Sequence, residues 1–350
     1  MLGRLLSRPI KVALFLLALT SVPGVAAAGS EPEAGAGRVR STEGAKASLA
    51  PGDYEFQIQH SGRKRYSLVH VPPGGGSGSQ MPLVLAFHGG GGNPEEMRRH
   101  SGLDRVADRE GFIAVFPAGS GRLSRKLLTW NAGTCCGYAR DQGIDDVGYV
   151  EVLLSDLARR TPIDRTRIYI TGHSNGAMMA YRLAVEMSER IAAIAPVAGG
   201  MVVTSPNPRR PVPVLHIHSV DDPRALYEGG LGPPFPLTRA RVLHPSIRET
   251  IRWWVQHNGC PPEPQVGETL HGRPGTREAS HAAQRLVYGP CREGSEVLLL
   301  RLTGAGHGWP GGASFLPERL MGPGTSVIDA SEEVWSFFRR FSRPDAPPLP

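Results

Sequence analysis

Apolar and polar residues alternate along Tyr54–His60 and again along Arg65–Val71, on either side of a Ser61-Gly62 step. A period of two around a short Gly-containing turn predicts an antiparallel pair of strands. Beyond Gln80 the pattern changes to short, mainly apolar runs at 83–87, 112–116, 168–171, 191–197, 212–218 and 297–302. Runs of that length, bounded by Gly, Asn and Asp, read as strands buried on both faces. Segments with helical spacing lie between them: 94–110, from Asp145 or Asp146 to about Arg160, the stretch after Ser174, 247–257 and 331–341. Buried strands alternating with helices predict an α/β fold, a mainly parallel sheet with helices on both faces and an antiparallel N-terminal edge. The Pro- and Gly-rich sequence at 223–245 is expected to be irregular.

The first residues have a different character. Arg4, Arg8 and Lys11 precede the apolar run Val12–Leu19, and Val25-Ala26-Ala27-Ala28 supplies small residues for cleavage. This predicts a signal peptide over 1–28, and hence a secreted chain, extracellular or periplasmic, with no stable membrane anchor. Residues 29–50 are small, charged and Gly-rich and read as a flexible mature N-terminus. One catalytic domain is expected over 51–343, followed by a Pro-rich tail over 344–350. Export permits disulfides. Four cysteines allow three pairings. Cys260 and Cys291 bracket a Pro- and Gly-rich stretch poorly suited to ordering itself, which favours that pair as a loop staple. The adjacent Cys135 and Cys136 are left as a vicinal pair or two thiols. The formal charge of +7 comes from scattered Arg rather than a basic stripe. No nucleic acid partner is expected.

Candidate chemistry centres on Gly172-His173-Ser174-Asn175-Gly176, which follows a buried strand and precedes an amphipathic helix. In that setting Gly-x-Ser-x-Gly is a nucleophile elbow, a strained turn that lifts the serine off the strand end. A Cβ at Gly172 or Gly176 would collide with the neighbouring strand and helix. A serine needs a base, and the base needs an orienting carboxylate. In elbow-bearing folds these follow in the order Ser, acid, His. The strand ending at His218 leads into Ser219-Val220-Asp221-Asp222, and the strand ending near Leu302 leads into Gly306-His307-Gly308. Both loops fall at the carboxyl edge of the sheet, where open α/β sheets place their sites. Asp222 is favoured over Asp221 as the acid, and His307 is the base. Asp145-Asp146 precedes the serine and reads better as a helix cap. For the oxyanion hole, Asn175 follows the nucleophile and Gly90 lies in the His88-Gly89-Gly90-Gly91-Gly92 loop. His216 and His218 share a strand face, but without a third ligand at metal spacing they read as core histidines.

With these residues assembled, the chain resembles the α/β-hydrolase esterases grouped with poly(3-hydroxybutyrate) depolymerases and feruloyl esterases. The resemblance rests on Pro82–Gly92, Trp130-Asn131-Ala132-Gly133 with Cys135-Cys136-Gly137, Asp145–Tyr149, Gly172–Met179, Tyr227–Gly230, Asn258-Gly259-Cys260 and Gly306–Gly311. It implies Ser174, Asp222 and His307 as catalytic residues of acyl transfer from esters, with no cofactor. No metal and no partner protein are expected. Ser219-Val220-Asp221-Asp222 departs from the family's usual Gly-Thr-x-Asp. No Thr/Ser-rich linker follows the catalytic region, so the expected substrates are aryl, feruloyl-type or small soluble esters. The alternative is a hydroxyalkanoate oligomer, which leaves the ester's source open between plant cell wall and polyester. Trp130 and Trp309 adjoin motif residues and are candidates for an aromatic wall against a substrate ring. Core packing is the equal alternative.

Overall fold

The first two strands, β1 (Gly52–His60) and β2 (Arg63–Val71), pair antiparallel from Gly52 opposite Val71 to His60 opposite Arg63. Ser61 and Gly62 make the turn with φ of 47° and 73°. Two successive positive φ values give a turn whose twist matches that of the flanking strands. The computed structural model describes residues 48–76, 78–234, 241–314 and 316–349. The expected signal peptide and nearly all of the expected flexible N-terminus therefore lie outside the described residues.

The chain continues through β3 (Met81–Phe87), α1 (Pro94–Ser101), α2 (Leu103–Glu110), β4 (Ile113–Pro117), α3 (Gly137–Asp141), α4 (Asp146–Arg160), β5 (Ile163–His173), α5 (Asn175–Glu186), β6 (Ala193–Val197) and β7 (Val214–Ser219). Then come β8 (Gly230–Leu231), β9 (Leu243–His244), α6 (Ile247–Asn258), β10 (Gln265–His271), β11 (Ala282–Tyr288), β12 (Val297–Thr303), α7 (Glu318–Met321) and α8 (Ala330–Phe338). Among the described residues, ten strands form one sheet in the order β1-β2-β4-β3-β5-β6-β7-β12-β11-β10. The six from β4 to β12 in that order run parallel, and β1-β2 and β11-β10 flank them antiparallel. This is the α/β-hydrolase arrangement.

Side chains alternate across β3 and divide the core in two. Leu83, Leu85 and Phe87 face one layer with Tyr149, Leu153, Tyr181 and Trp254 from α4, α5 and α6. Val84 and Ala86 face the other, with Met97, Val106 and Phe338 from α1, α2 and α8. Helices on both faces explain why the central strands carry mainly apolar runs. No helix among the described residues is long and apolar enough to cross a membrane.

Two expectations need correction. The single helix over 94–110 is two, because Gly102 sits at φ 61° as the C-cap of α1 and breaks the axis before Leu103. Asn93 caps the first of them by accepting from the Glu96 N–H. The stretch between Cys260 and Cys291 is not unordered. It supplies β10 and β11, a second antiparallel edge that the sequence does not announce because β10 is almost wholly solvent-facing and has no buried apolar face. Cys260 and Cys291 are bonded to each other, tying the end of α6 to the turn before β12 across that edge. Cys135 and Cys136 are also bonded to each other.

Closing a loop of this length restricts the unfolded chain and is worth roughly 2–4 kcal/mol. The Cys260→Ser/Cys291→Ser double variant should therefore melt several degrees below the parent in a calorimetric scan. An unchanged melting temperature would show that β10 and β11 hold the edge without the bridge.

Candidate active site

β5 ends at His173 and α5 begins at Asn175, leaving Ser174 alone between strand and helix at φ 57° and ψ −117°. A non-glycine residue adopts this backbone only where its surroundings enforce it. The enforcement is visible. A Cβ on Gly172 would lie 2.5 Å from the carbonyl carbon and oxygen of Gly176, and one on Gly176 would collide with the carbonyl groups of Phe87 and His88. The elbow thus depends on three backbones packed closer than any side chain permits. The Ser174 N–H donates to the Val197 carbonyl at 2.9 Å, and its own carbonyl accepts from Met178 N–H at 3.1 Å.

The loops after β7 and β12 bring the acid and base to this point. His307 Nε2 lies 2.9 Å from Ser174 Oγ, and His307 Nδ1 lies 2.7 Å from Asp222 Oδ2. A carboxylate partner requires Nδ1 to carry the hydrogen, which leaves Nε2 bare to accept from the serine hydroxyl. The Asp222 side chain is fully buried. Its Oδ1 accepts from the Arg224 and Ala225 N–H groups at 2.7 and 2.8 Å, which fixes the carboxylate plane. Burial pushes the Asp222 carboxyl upward, but attraction to and hydrogen bonding with His307 outweigh it and hold the group below the usual carboxylate value. Asp221 turns away, its Oδ2 accepting from Gly304 N–H at 2.6 Å.

The glycine loop after β3 lies against the elbow: a Cβ on Gly89 would sit 3.5 Å from Ser174 Cβ. Gly91 and Gly92 N–H groups bond to Leu128 and Gly89 carbonyls, while the Gly90 N–H takes part in neither bond. Asn175 is buried, and its side chain clasps the Trp130 backbone, with Oδ1 accepting from Trp130 N–H at 2.7 Å and Nδ2 donating to the Trp130 carbonyl at 3.1 Å. That segment is anchored by a buried ion pair. Arg65 Nη2 meets Asp146 Oδ1 at 2.7 Å, and Asp146 Oδ2 accepts from Asn131 N–H at 2.8 Å.

Comparison with known proteins places this geometry. A family model described as "Esterase PHB depolymerase" matches residues 65–244, just over half of the chain. The chain belongs to that family, whose members are carboxylic ester hydrolases. It is 30% identical over 272 residues to the NocK protein of Nocardia uniformis subsp. tsuyamanensis, covering 73% of this chain and 74% of that one. It is 26% identical over 239 residues to the bifunctional acetylxylan esterase/xylanase XynS20E of Neocallimastix patriciarum, and 26% over 249 residues to feruloyl esterase B of Piromyces equi. These matches cover 68% and 69% of this chain, but only 30% and 42% of the two fungal proteins.

Within this family member the structure brings Ser174, Asp222 and His307 together and sets the Gly89–Gly90 loop and Asn175 beside them. It does not give Trp130 and Trp309 a substrate face, which corrects the aromatic-wall expectation. Trp130 is 0% exposed and Trp309 3%. The Trp130 indole donates to the His88 carbonyl at 3.0 Å and the Trp309 indole to Ser331 Oγ at 3.0 Å, so both rings are used up in packing. Asp145 caps α4 by accepting from Gly148 N–H, as the cap reading expects, whereas Asp146 belongs to the Arg65 pair. Sequence reasoning passed over that pair and over His88, because their partners lie far away in the chain. His88 Nδ1 donates to the Gly89 carbonyl at 2.8 Å and Nε2 accepts from Gly119 N–H at 2.9 Å, bracing the loop. Among the described residues no cluster of His, Cys, Asp and Glu is arranged to hold a metal ion.

Burial lowers several histidines around the site. His88 and His100 fall from the ordinary 6.5 to about 4, and His173 and His216 also lie well below it. The unfolded chain therefore binds more protons than the folded one between these values. Stability is fully present above pH 6.5 and is lost as pH falls toward 4, by roughly 3 kcal/mol for a group such as His88. The melting temperature should fall steeply between pH 6.5 and 4.5. A flat profile over that window would contradict the neutral, buried state of these rings.

Proposed function

We propose that the chain is an exported serine carboxylesterase whose catalytic domain spans residues 51–343. The observation that carries this reading is the continuous hydrogen-bond path from Ser174 Oγ through His307 to the buried Asp222. His307 Nε2 takes the hydroxyl proton as Ser174 Oγ attacks the ester carbonyl. Asp222 holds the Nδ1–H tautomer and stabilises the imidazolium that forms. The Asn175 and Gly90 N–H groups receive the negative charge that develops on the carbonyl oxygen. One such donor is typically worth ~3 kcal/mol of barrier. His307 then gives its proton to the leaving alcohol, and water repeats the path to release the acid. Export is supported by the pattern of residues 1–28 and by the two cysteine pairs.

Feruloyl-type, other aryl or small soluble esters are the proposed substrates, supported by relatives named as a feruloyl esterase and an acetylxylan esterase. A second reading, hydroxybutyrate oligomers, is supported by the description of the matching family. With Trp130 and Trp309 buried, neither reading draws on a stacking wall.

Initial rates on p-nitrophenyl acetate, p-nitrophenyl butyrate, methyl ferulate and soluble 3-hydroxybutyrate oligomers test both. Ser174→Ala should abolish turnover on every ester, and Asp222→Asn should lower kcat by as much as ~10⁴-fold. Asp221→Asn should leave kcat within a few-fold of the parent. Turnover that survives Ser174→Ala, or greater damage from Asp221→Asn than from Asp222→Asn, would overturn the assignment. The preferred acyl group separates the two substrate readings.

A further inference from the structure

Behind Asp222 lies a line of buried polar groups that acyl transfer does not itself require. His216 and His218 stand two residues apart on β7 and so share one face, their rings nearly parallel with centroids 5.2 Å apart. Both side chains are sealed from solvent, as is Tyr181 on α5. The Tyr181 hydroxyl lies 2.8 Å from His216 Nδ1, and His216 Nε2 lies 3.1 Å from His218 Nδ1. His218 Nε2 lies 2.7 Å from the Ala225 carbonyl and 3.5 Å from Asp222 Oδ2.

The far end fixes every hydrogen in this line. His218 Nε2 faces a carbonyl and a carboxylate, neither of which can donate, so it must carry a hydrogen. Burial disfavours the charged ring, so His218 Nδ1 is bare and accepts from His216 Nε2–H. His216 Nδ1 is then bare in turn and accepts from the tyrosine hydroxyl. All three donors point the same way, toward Asp222. Ala225 connects the line to the acid a second time, since its N–H donates to Asp222 Oδ1 while its carbonyl accepts from His218.

We infer that His218, set in its tautomer by Ala225 and Asp222 and backed by His216 and Tyr181, is a positioning residue that holds the Asp222 turn and keeps Oδ2 aimed at His307. This rests on the role proposed for Asp222. A neutral donor suits the task. An imidazolium at His218 would compete with His307 for the carboxylate. The opposite tautomer would turn a lone pair against both the Ala225 carbonyl and Asp222. Aligned donors in a dry interior strengthen one another and favour the ionised acid without adding a second charge.

The test joins tautomer-resolved ¹⁵N NMR of histidine-labelled protein with kinetics. In the parent, His216 and His218 should both be neutral with hydrogen on Nε2, and His307 Nδ1–H should give a low-field proton resonance. Tyr181→Phe removes the donor to His216 Nδ1 but not the end that fixes the line, so both rings should keep hydrogen on Nε2 and kcat should stay within a few-fold of the parent. His218→Leu should weaken or abolish the low-field resonance and lower kcat at least about tenfold with KM little changed, short of the ~10⁴-fold that loss of tautomer control by the acid itself produces. His218→Gln, which keeps one donor and one acceptor, should recover most of both. An Nδ1–H or doubly protonated ring at either position in the parent would overturn the inference. So would a parent-like resonance and kcat in His218→Leu. If His218→Leu does not fold, Tyr181→Phe keeps the test open, since hydrogen on Nδ1 of His216 or His218 in that variant would show that the Asp222 end does not set the line and would overturn it equally. Loss of the resonance in His218→Leu supports the inference even without a turned-over ester, whereas absence of Ser174-dependent turnover in the parent strikes the esterase reading alone.

Discussion

The contact between β3, β5 and α5 governs everything around Ser174. Gly172 and Gly176 let the helix start against the Phe87 and His88 carbonyls, and that approach obliges Ser174 to take φ 57°. The strained residue is held from both sides, by the Val197 carbonyl and by the first turn of α5. Because β3 is one wall of this contact, the glycine loop that follows it arrives beside the serine. The same packing that builds the elbow therefore places the loop proposed to bind the oxyanion. A methyl group at either glycine would push β3 and α5 apart and separate the two.

Around this contact, several buried polar groups are paired, and these pairs converge on the site. Arg65 and Asp146 fix the Asn131 backbone, Asn175 clasps Trp130, and the Trp130 indole holds the His88 carbonyl at the head of the glycine loop. On the other side the Asp222 turn is closed by its own carboxylate and by His218. A buried ion pair contributes little net stability compared with apolar packing, while removing one partner is severely destabilising. Its value in this chain lies in where it sets the backbone. The glycine loop after β3 and the Asp222 and His307 loops after β7 and β12 thus reach Ser174 from opposite sides of β5, each on a frame fixed by hydrogen bonds.

The parts legible in the sequence are those that act through local chemistry. The central strands could be read because burial on both faces favours continuous, mainly apolar runs, and the elbow because only glycine satisfies Gly172 and Gly176. Asp222 and His307 could be read because strand ends mark the carboxyl edge. Features that depend on distant partners were not legible. Nothing near Asp146 announces Arg65, and nothing in the His216-x-His218 spacing announces Tyr181. β10 escaped notice because an exposed edge strand needs no apolar face. Trp130 and Trp309 were ambiguous because an indole suits a cleft wall and a core equally well, and only the fold shows which way each ring turns.

The central claim is that one hydroxyl, that of Ser174, is activated by the His307–Asp222 pair. The most direct measurement is covalent: treat the protein with diethyl p-nitrophenyl phosphate, measure its intact mass, and locate the adduct by peptide mapping. The expected result is a single diethylphosphoryl group on Ser174, formed in step with loss of activity and absent from the Asp222→Asn variant over the same time. No adduct on folded protein, or modification at another residue while Ser174 stays free, would contradict it.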